Sequence, residues 1–272
     1  MNPLNKSMSV NELTLHYLDW ENIRAKPMVL LHGLCNNAHY WDFFAEKMSH
    51  DYHVIAIDQR GHGYSDWAES YGPRDYVLDL ESTIDQLNIE DVFLIGHSIA
   101  GITASLYSAL HPDKVAKLVI VDIGPELSDF GIQRLLDQWQ SEPYSFKSRD
   151  EAISLLRRNE PRYSEEFIQH QMKHLLQGNE DSGFTFKYDK ALHNTILKSP
   201  EWLWEYLDQI ICPTLILHGK ESDMLTREVA DRMAERLIMG SVIDIDNAGH
   251  SILGDNPAAF TQATLNFLHN NN

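Results

Sequence analysis

The run Leu94-Ile95-Gly96-His97-Ser98-Ile99-Ala100-Gly101 carries an apolar segment straight into a serine, with a helical pattern starting at the next residue. A strand that turns into a helix with no loop between them holds the turn residue in a strained backbone conformation and lifts its side chain above the sheet edge. Its neighbours two residues away on each side must be small, and Gly96 and Ala100 are. The start of the following helix directs its positive end at the same place, which favours a developing negative charge. A serine at a helix start is also a common N-cap, so the hydroxyl becomes chemical only if a base can reach it. The chain has 14 histidines. His250, in Asp246-Asn247-Ala248-Gly249-His250-Ser251, stands apart because it lies in a short loop between the last strand run and the last helical pattern. Ala248 and Gly249 leave room for a sharp bend there.

The turn around Ser98 resembles the nucleophile elbow of the α/β-hydrolase superfamily, written G-x-S-x-G, with Ala100 in place of the last glycine. The resemblance spans about residues 10–123 and 210–268. It implies a Ser, acid, His order along the chain, with Ser98 as nucleophile and His250 as general base. It points to Asp223 as the acid, in the loop after the penultimate core strand. Glu221 is the nearest competitor. Asp122 is another, since some branches place the acid after the earlier strand. The resemblance further implies an oxyanion hole made by the backbone N–H groups of Leu34 and Ile99. The glycine-rich stretch 58–65 (DQRGHGYS) lacks the Gly-Lys-Ser/Thr ending of a phosphate loop and reads as structural, with Arg60 tying loops together.

These roles describe acyl transfer through an acyl-enzyme, a chemistry that requires neither a metal nor an organic cofactor. Serine at the elbow argues against the dehalogenases and epoxide hydrolases of this superfamily, which use aspartate. The stretch Leu34-Cys35-Asn36-Asn37 lacks the glycine- and proline-rich oxyanion loop usual in its carbon–carbon bond hydrolases. The expectation is a carboxylesterase for small or medium esters, with a lactonase as nearest neighbour and a carbon–carbon bond hydrolase beyond it. A small-molecule receptor and a cofactor-free oxygenase are the readings from other classes.

The elements that must position these residues are legible as short unalternated apolar runs at 28–31, 53–57, 92–95, 118–121, 214–217 and 242–245, each ending in Gly, Asp or His. Such runs suit strands buried on both faces. Helical spacing appears at 75–87, 99–110, 226–237 and 256–268, and 10–18 reads as an extended edge segment, half of a hairpin. Strand–helix alternation predicts an α/β fold: a mostly parallel central sheet with helices on both faces. The alternation fails over 124–208, where only helical patterns (132–139, 151–158, 165–176 and 201–207) occur between prolines. This predicts a core domain of residues 1–123 and 209–272 and an inserted helical cap domain of 124–208. Leu135, Leu136, Trp139, Phe167, Met172 and Trp202 are candidate pocket residues of that cap, with cap-to-core packing as the alternative for each.

The formal net charge of −18, from 22 Lys+Arg against 40 Asp+Glu, opposes binding to nucleic acid or anionic membranes. The partner expected is a small-molecule ester or lactone. No run reaches the roughly 18 apolar residues of a membrane span, and the start MNPLNKSMSV has no apolar signal core, so a cytoplasmic location is expected. Cys35 and Cys212 form no C-x-x-C pair and read as free thiols used in packing.

Overall fold

The structure is a computed structural model that describes residues 2–194 and 198–270. Residues 195–197 of the expected cap, Met1, and the last two asparagines lie outside the described residues. The chain opens with β1 (Leu4–Val10) and β2 (Leu13–Asp19), followed by β3 (Lys26–Leu31), α1 (Asp42–Met48) and β4 (Tyr52–Ile57). Then come α2 (Pro73–Gln86), β5 (Val92–His97), α3 (Ile99–Leu110) and β6 (Val115–Val121). The insertion contains α4 (Asp129–Ser141), β7 (Ser145–Phe146), α5 (Arg149–Asn159), α6 (Glu165–Leu175), β8 (Leu176–Asn179) and β9 (Gly183–Phe186). The chain returns through β10 (Thr214–Gly219), α7 (Arg227–Arg236), β11 (Gly240–Ile245), α8 (Ile252–Asp255) and α9 (Pro257–His269).

The central sheet has eight strands in the order β1-β2-β4-β3-β5-β6-β10-β11. The β1–β2 and β2–β4 pairs are antiparallel, and the strands from β4 onward are parallel. The unalternated runs on β3, β4, β5, β6 and β10 have the expected cause, whereas 242–245 lies on the edge strand β11 and leaves Ile243 exposed. Leu94 on β5 joins one apolar core with Ile102 and Leu106 of α3, while Phe93 and Ile95 join another with Trp41, Phe44 and Phe260. Each face of the sheet is therefore covered, and successive residues are buried in opposite directions. The edge segment 10–18 is half of a hairpin, as its pattern suggested.

The insertion differs from its expected all-helical form. A three-stranded antiparallel sheet, β7-β9-β8, accompanies its three α-helices, and 201–207 forms short 3-10 turns. These strands are two to four residues long and only partly buried, so they leave no periodic apolar signal. The insertion has its own apolar cluster, including Phe146, Ile153, Ile168, Met172 and Phe184. Among the described residues, no helix is long and apolar enough to cross a membrane.

Register sets the site. Leu31 pairs with Gly96, His97 with Val121, and Val121 with Leu217. The residues that leave β3, β5, β6 and β10 are thereby brought side by side at the carboxyl ends of adjacent parallel strands, where open α/β sheets bind ligands.

Candidate active site

Ser98 leaves β5 at φ +56° and ψ −133°, outside the usual regions for a residue with a side chain. The turn is locked by Ser98 N–H donating to the Val121 carbonyl (2.9 Å) and Gly101 N–H donating to that of Ser98 (2.7 Å). A Cβ at Gly96 would fall on the backbone carbonyl of Ala100. The Ala100 methyl is itself fully buried within the core. The steric demand of the elbow thus falls on Gly96, which explains why alanine is tolerated two residues after the serine.

The Ser98 hydroxyl donates to His250 Nε2 at 2.9 Å, and His250 Nδ1–H donates to Asp122 Oδ2 at 2.9 Å. Two supports hold the loop that carries the imidazole. Gly249 N–H donates to Asp255 (2.7 Å), and His97 Nε2–H donates to the His250 carbonyl (3.0 Å). Burial, helped by the neighbouring His250, pulls the His97 ring down to about 3, so it stays neutral. Its ring also stacks on Tyr40.

The carboxylate on His250 corrects the sequence expectation. Asp223 lies in the loop after β10, as expected, but turns away and pairs with Arg134 of α4. Glu221 pairs with Arg162. Asp122, directly after β6, is fully buried at φ +51°. Its Oδ1 accepts Gly219 N–H (2.9 Å), and its Oδ2 accepts the Ser222 hydroxyl (2.5 Å) as well as His250. The physical reason is the parallel pairing of β6 with β10. It sets the first residue after β6 against the β10 loop, where the backbone N–H of Gly219 and the hydroxyl of Ser222 are already directed at it. Ser222, absent from the sequence-based candidates, occupies the place expected for the acid.

The second loop at the site is 33–36. A Cβ on Gly33 would meet the Ser98 Cβ at 3.1 Å, so this backbone lies against Ser98. Cys35 N–H donates to His62 Nε2 (3.1 Å) and Asn36 N–H to the Gly33 carbonyl (3.3 Å). Among the described residues no acceptor sits on the N–H of Leu34 or Ile99. The glycine-rich turn 58–65 buttresses this loop. Gln59 Nε2 donates to the His32 carbonyl (2.7 Å), and Asp58 accepts Ala38 N–H (2.6 Å). Arg60 clamps Asp79 of α2 with two bonds of 2.6 and 2.7 Å. Cys35 packs nearby, its thiol pushed up to about 12 by burial.

Ser98, His250 and Leu34 open into a cavity of about 1020 Å³ between the sheet and the insertion. Of the expected pocket residues, Leu135, Trp139, Met172 and Trp202 line it. Leu136 and Phe167 do not, and Phe167 packs on Tyr40 in the core. Glu160, unnoticed in the sequence, also faces the cavity. Burial, reinforced by the Asp255 carboxylate, pushes it up to about 7.

A strand-end serine at positive φ, joined to an imidazole and a buried carboxylate on a parallel sheet, is the arrangement of a serine hydrolase elbow. The family model for the alpha/beta hydrolase fold matches residues 26–257, and the chain belongs to that family. The chain is similar to 3-hydroxybutyrate-oligomer hydrolase from Cupriavidus necator, at 29% identity over 89% of this chain and 88% of that one. It is 25% identical to Esterase YbfF of Escherichia coli, over 89% and 93% of the two chains. Among solved structures, E-2-(acetamidomethylene)succinate hydrolase superposes with a TM-score of 0.90 at 21% identity, covering 98% of this chain and 100% of that one. That last likeness concerns the fold.

Proposed function

We propose that the protein is a carboxylic ester hydrolase acting through Ser98, His250 and Asp122. The observation that carries this reading is the unbroken hydrogen-bond chain from the Ser98 hydroxyl through both nitrogens of His250 to Asp122, with 2.9 Å at each imidazole nitrogen. Asp122 holds the proton on Nδ1, which leaves Nε2 free to accept the proton of Ser98 as the oxygen attacks a carbonyl. His250 then protonates the departing alcohol, and takes a proton from the water that releases the acid. The unoccupied N–H groups of Leu34 and Ile99, with the start of α3 behind the second, stabilise the oxyanion, each worth about 2.7–4 kcal/mol in comparable sites.

An ester is favoured over other acyl groups by the relatives, one named as an esterase and one as acting on 3-hydroxybutyrate oligomers. The cavity volume of about 1020 Å³ suits small to medium substrates. Its apolar wall from Ile99, Ile102, Leu135, Trp139 and Met172 suits an acyl chain or alcohol of moderate length.

The test is turnover of a p-nitrophenyl acyl ester series with active-site labelling by a fluorophosphonate. The wild type turns over repeatedly and is labelled at Ser98. Ser98→Ala loses labelling and falls by roughly 10⁴-fold or more in kcat. Turnover that survives in the variant refutes the reading, as does a wild type that only binds.

A further inference from the structure

Behind the wall of the cavity, four metal-binding side chains meet where the insertion docks on the sheet. His39 lies on the 3-10 turn Ala38–Trp41 and Asp42 begins α1. His170 and His174 sit four residues apart on one face of α6. One donor atom from each of the four lies within 4.8 Å of all the others. His39 Nδ1 hydrogen-bonds to Asp42 Oδ2 at 2.8 Å, and His170 Nε2 lies 3.0 Å from the same oxygen and within 3.3 Å of the His39 carbonyl. The His39 and His174 rings stack at 3.6 Å between centroids. The other Asp42 oxygen, Oδ1, is buried with no hydrogen-bond partner among the described residues.

We propose that His39, Asp42, His170 and His174 form a binding site for a divalent transition metal of the zinc class, which clamps the insertion to the sheet. Three imidazoles and one carboxylate are a borderline-soft donor set that suits Zn²⁺ and its neighbours rather than Mg²⁺ or Ca²⁺. A tetrahedral site with Zn–N of about 2.0–2.1 Å needs ligand atoms roughly 3.3 Å apart. The present spacing therefore closes onto an ion with shifts on the order of 1 Å, within the reach of side-chain rotation. The ion would satisfy the carboxylate and use imidazole nitrogens that now crowd one oxygen. The mounting is firm on both sides. Asn37 accepts the His39 N–H (3.0 Å) and donates through Nδ2 to the His174 carbonyl (3.1 Å).

The position gives the ion a mechanical role. Tyr40, on the same turn as His39, stacks on His97 beside the nucleophile. Gln171, Met172 and Leu175 of α6 line the cavity. Coordination across the turn and α6 fixes that wall against the sheet, without touching Ser98, His250 or Asp122.

Binding is measured directly, so the outcome does not depend on the reading of the hydrolase site. Metal-stripped protein is titrated with Zn²⁺ against a chromophoric chelator, and with Co²⁺ while the visible spectrum is recorded. One tight equivalent is expected, with the intense visible bands of tetrahedral Co²⁺. A hundredfold excess of Zn²⁺ over its Kd should raise the Tm by about 5 °C. His174→Ala, in a partly exposed ring, should weaken Zn²⁺ at least tenfold and abolish the Co²⁺ bands, while the circular dichroism spectrum stays native. Ser98→Ala should bind as the wild type does. Absence of a tight equivalent in the wild type overturns the proposal. So does unchanged affinity in both His174→Ala and a folded Asp42→Asn variant.

Discussion

The pair Asp122→Asn and Asp223→Asn separates two carboxylates that sequence alone left in competition. In Asp122→Asn the amide oxygen can keep the bond from Gly219 N–H, which leaves the NH₂ facing His250 Nδ1. A donor there forces the imidazole proton onto Nε2, so the ring presents N–H to Ser98 and cannot act as a base. The negative charge that would stabilise the imidazolium is lost as well. Together these should lower kcat by about 10³–10⁴-fold, equivalent to about 4–5.5 kcal/mol of transition-state stabilisation. Asp223→Asn removes one partner of the Arg134 pair, whose two side chains are 22% and 40% exposed. Such a pair contributes about 1 kcal/mol or less to stability. Its loss should change kcat by less than about threefold, and any effect should appear in KM through the cavity wall formed by Arg134. Steady-state kinetics on one p-nitrophenyl ester, with denaturant melts to confirm folding, decides between them. A hundredfold loss in folded Asp223→Asn beside a tenfold or smaller loss in Asp122→Asn refutes the assignment.

Two further substitutions probe the elbow and the cavity. Gly96→Ala drives a methyl into the Ala100 carbonyl. It should cost about 1–3 kcal/mol of stability and slow fluorophosphonate labelling at least tenfold, whereas Ala100→Gly should cost about 1 kcal/mol and leave labelling intact; equal behaviour of the two variants contradicts the account of the turn. Glu160 is raised from 4.5 to about 7, so the folded state binds its proton more tightly than the unfolded state between those values. Stability from this group is fully present below about pH 4.5 and is lost as pH rises to about 7. Glu160→Gln removes that dependence. Denaturant unfolding at pH 5 and pH 8 should show the variant gaining on the wild type by up to about 3 kcal/mol at the higher pH, and a pH-independent difference rejects the assignment.

The parts of the molecule that were legible share one property: they are buried on both sides. The strand runs ending at Leu31, Val121 and Leu217 stand out because neither face can be polar. The same property located Ser98, a polar residue placed without a loop after such a run. Asp122 carries an identical signal, since it follows the run 118–121 directly. The resemblance favoured the later loop, and sequence could not reveal which way the side chains of Glu221, Ser222 and Asp223 point. That direction is set by Arg134 and Arg162, which arrive from a distant insertion. The histidines at 39, 170 and 174 were hidden for the same reason, because their meeting depends on how α6 docks. The small sheet of the insertion escaped because its strands are too short to show a period.

A carboxylate directly after β6, rather than after β10, also orders the assembly of the site in time. Ser98 and Asp122 stand at the two ends of α3 and β6, within one strand–helix–strand crossover that closes through local contacts. His250 belongs to the last strand–helix unit, which joins the sheet by pairing β11 with β10 and by packing α9 residues such as Phe260 against it. A chain emerging from the ribosome therefore carries Ser98 and Asp122 in place, but unlinked, until its final segment docks. On the proposed mechanism a half-folded chain is chemically silent, and the onset of turnover would be a clock for the last step of folding.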